Sequence, residues 1–357
     1  MLDELLDTQE QPTLLTMKAE DRLLEVNHLK MYFPITEGLF ARLKGYTKAV
    51  DDVSFFIRNG ETLGLVGESG CGKTTVGRCI ARAYEPTDGQ ILYRNGDGEV
   101  VDLADMDHRE IQPYRKEIRM IFQDPYSSLN PRMTVFDNIS EALKVNKMGT
   151  PKEWEERVEY LLRRVGLRPE YIRRYPHAFS GGERQRIGIA RALVTNPHLI
   201  VADEAVSALD VSIRAQILNL MEELQEEFSL TYLFISHDLS VIRHICDRVV
   251  VMYVGKVVEV ASGMDPYINP MHPYTEALMS AVPVSNPRAR EAGSRIRLEG
   301  QVADPSNPPS GCYFHPRCQY AQERCAVEEP ELRDMGNHHF VACHFAEELD
   351  LRGVRMI

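Results

Sequence analysis

The run Gly67-Glu68-Ser69-Gly70-Cys71-Gly72-Lys73-Thr74 constrains this chain more than any other part of it. An apolar, strand-like segment, Thr62 to Val66, leads into it, and a helix-compatible segment, Thr75 to Arg82, leaves it. Strand, G-x-x-x-x-G-K-[ST], helix is the order of a Walker A phosphate-binding loop. Glycines at 67, 70 and 72 let the backbone turn successive N–H groups and a helix N-terminus toward an anion. Lys73 then reaches the β- and γ-phosphates, and the Thr74 hydroxyl ligates Mg2+. Residues 67 to 75, Thr75 included, are therefore expected to bind a nucleoside triphosphate, with Cys71 a small loop residue rather than a redox switch.

The setting is that of a folded, soluble protein. The chain has 357 residues, room for one large domain or two ordinary ones. A formal net charge of −12 argues against a broad electrostatic footprint for nucleic acid. Met1 to Glu20 is acidic, without a basic-then-apolar leader pattern, and no apolar run approaches a membrane span. A cytoplasmic location is expected, with any membrane association made through partners.

Along the chain strands alternate with helices. Arg22–Val26 and Lys48–Ile57 read as strands flanking a loop that contains Pro34, Gly38 and Gly45. Ile118 to Phe122 is a short apolar strand followed by a turn-rich run to Pro131, and Thr134 to Leu167 has helical periodicity with Val158, Leu161, Leu162 and Val165 facing a core. Leu199 to Ala202 and Thr231 to Ile235 bracket a helix whose apolar stripe is Ile217, Leu220, Met221, Leu224 and Phe228. This is the βαβ alternation of a parallel sheet wrapped by helices.

The strand at 199–202 runs into Asp203 and Glu204. Ligands of open α/β sheets sit at the carboxyl edge of such strands. Asp203 is suited to the Mg2+ shell and Glu204 to activating an attacking water.

Further motifs give a family resemblance. Ser180-Gly181-Gly182-Glu183-Arg184-Gln185-Arg186 resembles the signature motif of ABC ATPases, Ser207 to Asp210 their D-loop, Gln123 their Q-loop, and Ser236-His237-Asp238 their switch histidine, all in the expected order. The resemblance covers roughly residues 23–265, and Phe122 to Pro131 looks like the ATP-binding subunits of oligopeptide and dipeptide importers. It implies a P-loop NTPase core of ABC type: a mainly parallel sheet, an antiparallel β part, an inserted helical subdomain over about 124–182, and a small Cys-rich C-terminal extension over 266–357, behind an acidic tail at 1–22. It also implies head-to-tail closure of two such domains, so that Ser180, Gly181 and Gly182 serve the partner's ATP. His237 then contacts the γ-phosphate, Gln123 links Mg2+ to the membrane subunits, and an aromatic residue stacks on adenine, Phe33 in first place and Tyr32 as the alternative. The implied partners are a second ATPase chain, different from this one, two transmembrane permeases and an extracytoplasmic solute-binding protein. The chain would lie peripherally at the cytoplasmic face of the membrane. Glu183 in place of Gln, Ala178 in place of Glu and Ala205 in place of Pro depart from the family pattern. Glu183 is expected to slow the site that this signature completes, by repulsion.

The C-terminal part holds a separate pattern. After the linker-like His272-Pro273-Tyr274 come Cys312, Cys318, Cys325 and Cys343, with five, six and seventeen residues between them. In a cytoplasmic chain metal binding is favoured over disulfides. The spacings lack the tight pairs of structural zinc sites, and four thiolates suit an iron-sulfur cluster. The pattern resembles peptide-importer ATPases, some of which hold a 4Fe-4S cluster. Zinc, completed by the otherwise surface residues His315, His338, His339 or His344, and unmetallated thiols are the alternatives. Cys79 and Cys246 fall on helix-like segments and read as core.

Against the transport reading stands a soluble ABC ATPase acting as a mechanical clamp in translation or DNA repair. The single nucleotide-binding domain, the lack of a heptad-bearing coiled coil and the acidic charge favour the first. A regulatory module that binds without hydrolysing is disfavoured by the presence of Glu204 and His237.

Overall fold

The computed structural model describes residues 21–38, 42–124, 126, 128–282 and 296–354. The acidic tail falls outside them as far as residue 20, and Arg22 already belongs to a strand. Strands β1 (Arg22–Glu37) and β2 (Arg42–Arg58) open the chain, followed by β3 (Thr62–Val66) and helix α1 (Lys73–Ile80). Next come β4 (Asp88–Arg94), β5 (Val100–Asp102) and β6 (Ile118–Ile121), then the helices α2 (Val135–Val145), α3 (Pro151–Arg164) and α4 (Gly181–Leu193). The order continues with β7 (Leu199–Asp203), α5 (Val211–Phe228), β8 (Thr231–Ile235), α6 (Leu239–Ile245), β9 (Arg248–Tyr253) and β10 (Lys256–Ser262). Helices α7 (Asp265–Ile268) and α8 (Pro273–Met279) and the short strands β11 (Arg333–Asp334) and β12 (Phe340–Val341) follow.

Two sheets result. One is antiparallel, in the order β2-β1-β4-β5; the other runs β11-β12-β10-β9-β3-β8-β7-β6. Within the second, β9, β3, β8, β7 and β6 are parallel, while β10, β12 and β11 add antiparallel pairs. Every residue of β3, β7, β8 and β9 is buried, as expected of strands covered on both faces. One core lies under α2 to α5, and the other joins α1 to the antiparallel sheet.

Three expectations need correction. Residues 35–37 and 42–47, read as part of an inserted loop, continue the first two strands as antiparallel partners, with Pro34 opposite Tyr46 and Ile35 opposite Gly45. Pro34 is tolerated because β4 pairs with β1 only as far as Lys30, so the side on which Pro34 lacks an N–H is open. The helical pattern 134–167 is two helices, parted before Thr150. There a capping box between Thr150 and Glu153 starts α3, with Pro151 in its first turn. The cap is worth about 1 kcal/mol, against roughly 1.5–3 kcal/mol for each of the fully buried Val158, Leu161 and Leu162. Packing fixes this helix, and the cap fixes where it begins. Finally, His272 is no linker: it is buried at the start of α8, and its Nδ1 accepts the Tyr274 N–H at 3.0 Å.

Candidate nucleotide site

Four parallel strands end along one edge. β3 delivers the phosphate loop, β7 Asp203 and Glu204, β8 Ser236 and His237, and β6 Phe122 and Gln123. Residues far apart in sequence meet there because each directly follows a strand in register with its neighbours.

The loop passes closely over backbone. Gly67 and Gly72 have φ of 149° and 105°, and a Cβ on them would fall 2.2 Å from the Met252 carbonyl oxygen and 2.1 Å from that of Ala49. No side chain fits at either position. Lys73, buried, donates to the carbonyl oxygens of Gly67 and Glu68 at 2.7 and 2.9 Å, so its ammonium stands inside the loop. Cys71 is buried behind it, and burial pushes its thiol pKa up. Ser69 and Gly70 are exposed at the tip, and Thr75 follows Thr74 on α1.

Thr74 Oγ1 donates to Asp203 Oδ1 at 2.8 Å. Burial raises the Asp203 pKa, and the Thr74 hydrogen bond works against that rise. A hydroxyl and a carboxylate oxygen side by side are the hard donors that Mg2+ takes, and they fit the ion. Gln123, expected to share this role, instead donates to Glu204 Oε2 at 2.7 Å, while His237 Nδ1 lies 3.1 Å from Glu204 Oε1. Glu204 is thus held from both sides, on a backbone with φ of 48° that bends the chain out of β7.

Ser180, Gly181 and Gly182 lie at the N-terminus of α4. Ser180 and Glu183 form a capping box: Glu183 Oε2 accepts from the Ser180 N–H at 2.9 Å and from its hydroxyl at 2.8 Å. Phe33 and Tyr32 are neighbours on β1 and so project to opposite faces. Phe33 meets Tyr84 edge to face at 5.5 Å, and the Tyr32 hydroxyl donates to Asp51.

Glu68 is placed otherwise than a phosphate-facing residue. Its N–H donates to the Tyr274 hydroxyl at 2.8 Å, and its carboxylate takes both Arg317 Nη atoms, at 2.7 and 3.2 Å. Neither Tyr274 nor Arg317 was legible as part of this site, because 206 and 249 residues of sequence separate them from Glu68 and no motif joins them.

Cys312, Cys318, Cys325 and Cys343 line one small cavity of about 20 Å³. All are free thiols. Burial pushes Cys312 up to about 11 and Cys318 to about 12, and raises Cys343 as well. Among the described residues no three His, Cys, Asp or Glu side chains converge closely enough to hold a single ion. Of the histidines offered for zinc, His338 is exposed, His315 and His344 line the cysteine cavity, and His339 is buried rather than on the surface, with Nε2 2.6 Å from Glu259, because β12 docks on β10. His344 Nε2 lies 2.9 Å from the Glu328 carbonyl oxygen, and His315 Nδ1 lies 2.9 Å from that of Cys312.

With this geometry in view, the family model described as "ABC transporter" matches residues 50–207, and that of the "Oligopeptide/dipeptide transporter, C-terminal region" matches 258–325. The oligopeptide transport ATP-binding protein AppF of Bacillus subtilis is 56% identical over 92% of this chain and 99% of its own length. The chain belongs to the ABC transporter ATP-binding subunits of the oligopeptide/dipeptide family. YkfD of the same organism, a putative oligopeptide transport ATP-binding protein, is 49% identical over 90% of this chain and 95% of its own. Among solved structures, the dimeric ATP-binding cassette MJ0796 in a post-hydrolysis state with ADP and Pi aligns with a TM-score of 0.59. That match has 27% identity and covers 67% of this chain and 98% of the other. This ABC subunit is an ATPase, built on the P-loop fold with a sheet that is part parallel and part antiparallel. No helix among the described residues is long and apolar enough to cross a membrane.

Proposed function

We propose that this ABC ATPase energises import of oligopeptides or dipeptides across the cytoplasmic membrane, by closing on a second ATPase chain when ATP binds. The observation that carries the reading is the meeting of Lys73, Thr74–Asp203 and Gln123–Glu204–His237 at one sheet edge. It is supported by relatives named as oligopeptide transport subunits over nearly their whole length.

The roles follow from position. The loop from Gly67 through Thr75 wraps the phosphates, Lys73 neutralises them, and Phe33, or Tyr32, stacks on adenine. Thr74 and Asp203 would hold Mg2+, and Gln123 would join them on leaving its hydrogen bond to Glu204; the ion would offset charge on the β- and γ-phosphates. Glu204 orients and deprotonates the attacking water, and His237 steadies the γ-phosphate. Ser180, Gly181 and Gly182 present a helix N-terminus to the partner's nucleotide. The other ATPase is a different chain, and two permeases and an extracytoplasmic binding protein complete the complex, this chain lying on its cytoplasmic face.

Cys312, Cys318, Cys325 and Cys343 are proposed as the ligands of a 4Fe-4S cluster. The four thiols that line one cavity are the soft donors that such a cluster would take. Such a cluster would supply an electron-accepting centre and would cross-link the segments that hold it.

The test is anaerobic affinity purification from detergent-solubilised membranes, with mass spectrometry of the subunits and peptide-stimulated ATPase activity after reconstitution. Two permeases, a second ATPase and stimulation by peptide are expected. Recovery with ribosomes or DNA-bound proteins alone would overturn the transport reading.

A further inference from the structure

We infer that Arg317 and Tyr274 are positioning residues for the phosphate loop, so that the C-terminal region sets the affinity of this chain for nucleotide. The inference rests on the ATPase reading and goes beyond it, since both residues lie outside the nucleotide-binding core.

The residue they hold is Glu68, the first after Gly67 in the loop. Its N–H is fixed by the Tyr274 hydroxyl at 2.8 Å, its carbonyl by Lys73 at 2.9 Å, and its carboxylate by the Arg317 fork at 2.7 and 3.2 Å. One peptide of the loop is therefore restrained at every polar group it has. The restraints are themselves rigid. Tyr274 is fully buried, and the Arg317 side chain is 7% exposed. Tyr253, Tyr274 and Phe314 pack ring against ring at 4.8 to 5.5 Å between them. Arg317 also lies over the Tyr253 ring, 5.8 Å from its centroid.

Two physical effects follow. A loop whose amides are already aimed binds an anion without the cost of ordering them. A carboxylate beside a triphosphate would repel it, and the paired guanidinium cancels that charge through the strongest type of side-chain hydrogen bond. The same segment touches the site a second time: Tyr313 donates to Asp51 Oδ2 at 2.6 Å, and the other Asp51 oxygen accepts from Tyr32 on β1. Residues 313–317 thus brace the site at two points, and they lie between Cys312 and Cys318.

The test uses the full chain in its purified complex, with the KM for MgATP, kcat and the dissociation constant of a fluorescent ATP analogue as readouts. Arg317→Gln is expected to raise KM and the dissociation constant about tenfold, with kcat within about twofold of wild type. Adding Glu68→Gln, which removes the stranded carboxylate, is expected to recover about half of that loss on a logarithmic scale. Tyr274→Phe keeps the ring, loses the acceptor and is expected to raise KM about threefold. Should Arg317→Gln not fold, Arg317→Lys keeps the charge without the fork and is expected to raise KM about threefold. Unchanged KM in the folded variants, or equal falls of kcat with no recovery in the double variant, would overturn the inference alone. Wild type that binds no nucleotide would overturn the ATPase reading together with it.

Discussion

The Gln123 carboxamide donates to Glu204 Oε2 at 2.7 Å, tying the residue after β6 to the residue after β7. Glu204 is thereby aimed by a side chain of the Q-loop, and any shift of that loop moves the general base. Glu204→Gln preserves the shape and removes the basic oxygen. Its turnover is expected to fall at least about 100-fold with MgATP affinity retained, measured by steady-state hydrolysis and equilibrium binding. Full turnover would show that another group takes the proton.

Glu183 was expected to repel the partner's triphosphate, and the structure adds that its carboxylate also caps α4 through Ser180. Gln serves equally in a capping box. Glu183→Gln should leave the melting temperature in place and raise turnover of the assembled complex roughly twofold, the scale of one exposed charge pair. If turnover does not change, the capping role is the whole of its effect.

His272 is buried neutral, and burial lowers its pKa from 6.5 to about 3. The unfolded chain therefore binds a proton between those values that the folded chain refuses. Stability contributed here is complete above pH 6.5 and is lost as pH falls toward 3. His272→Asn keeps an N-cap acceptor and removes the titration. Urea midpoints measured from pH 7 to pH 4 should fall less steeply in this variant than in wild type; parallel curves would refute the assignment.

Glu61 and Arg248 form a buried pair, each side chain under 5% exposed, with Arg248 Nη1 at 3.1 and 3.2 Å from the two carboxylate oxygens. Glu61→Ala strands a guanidinium in the core and should cost about 3–5 kcal/mol by urea denaturation. Removing both charges together, as Glu61→Met with Arg248→Leu, should cost less than the single change.

The readable parts of this molecule are those whose chemistry is written locally. Gly67 to Thr74 announces a phosphate loop because its residues act in sequence order, and the apolar strand before Asp203 and Glu204 marks the acidic edge. The pairing of the first two strands was missed beyond Pro34, since a proline and two glycines argue for a loop unless the pairing partner of each residue is known. His339 looked like a surface residue because nothing around it in sequence reveals that β12 docks on β10.

The sequence by itself determined the nucleotide chemistry, the strand–helix alternation and the family, because each rests on contiguous residues or on motifs in fixed order. Only the tertiary structure decided that Gln123 and His237 grip the same carboxylate, and that Glu68 answers to Tyr274 and Arg317 more than 200 residues away. Such contacts are set by the register of a parallel sheet and by the docking of the C-terminal region on it. No local pattern encodes either, because the partners become neighbours only once the chain has closed.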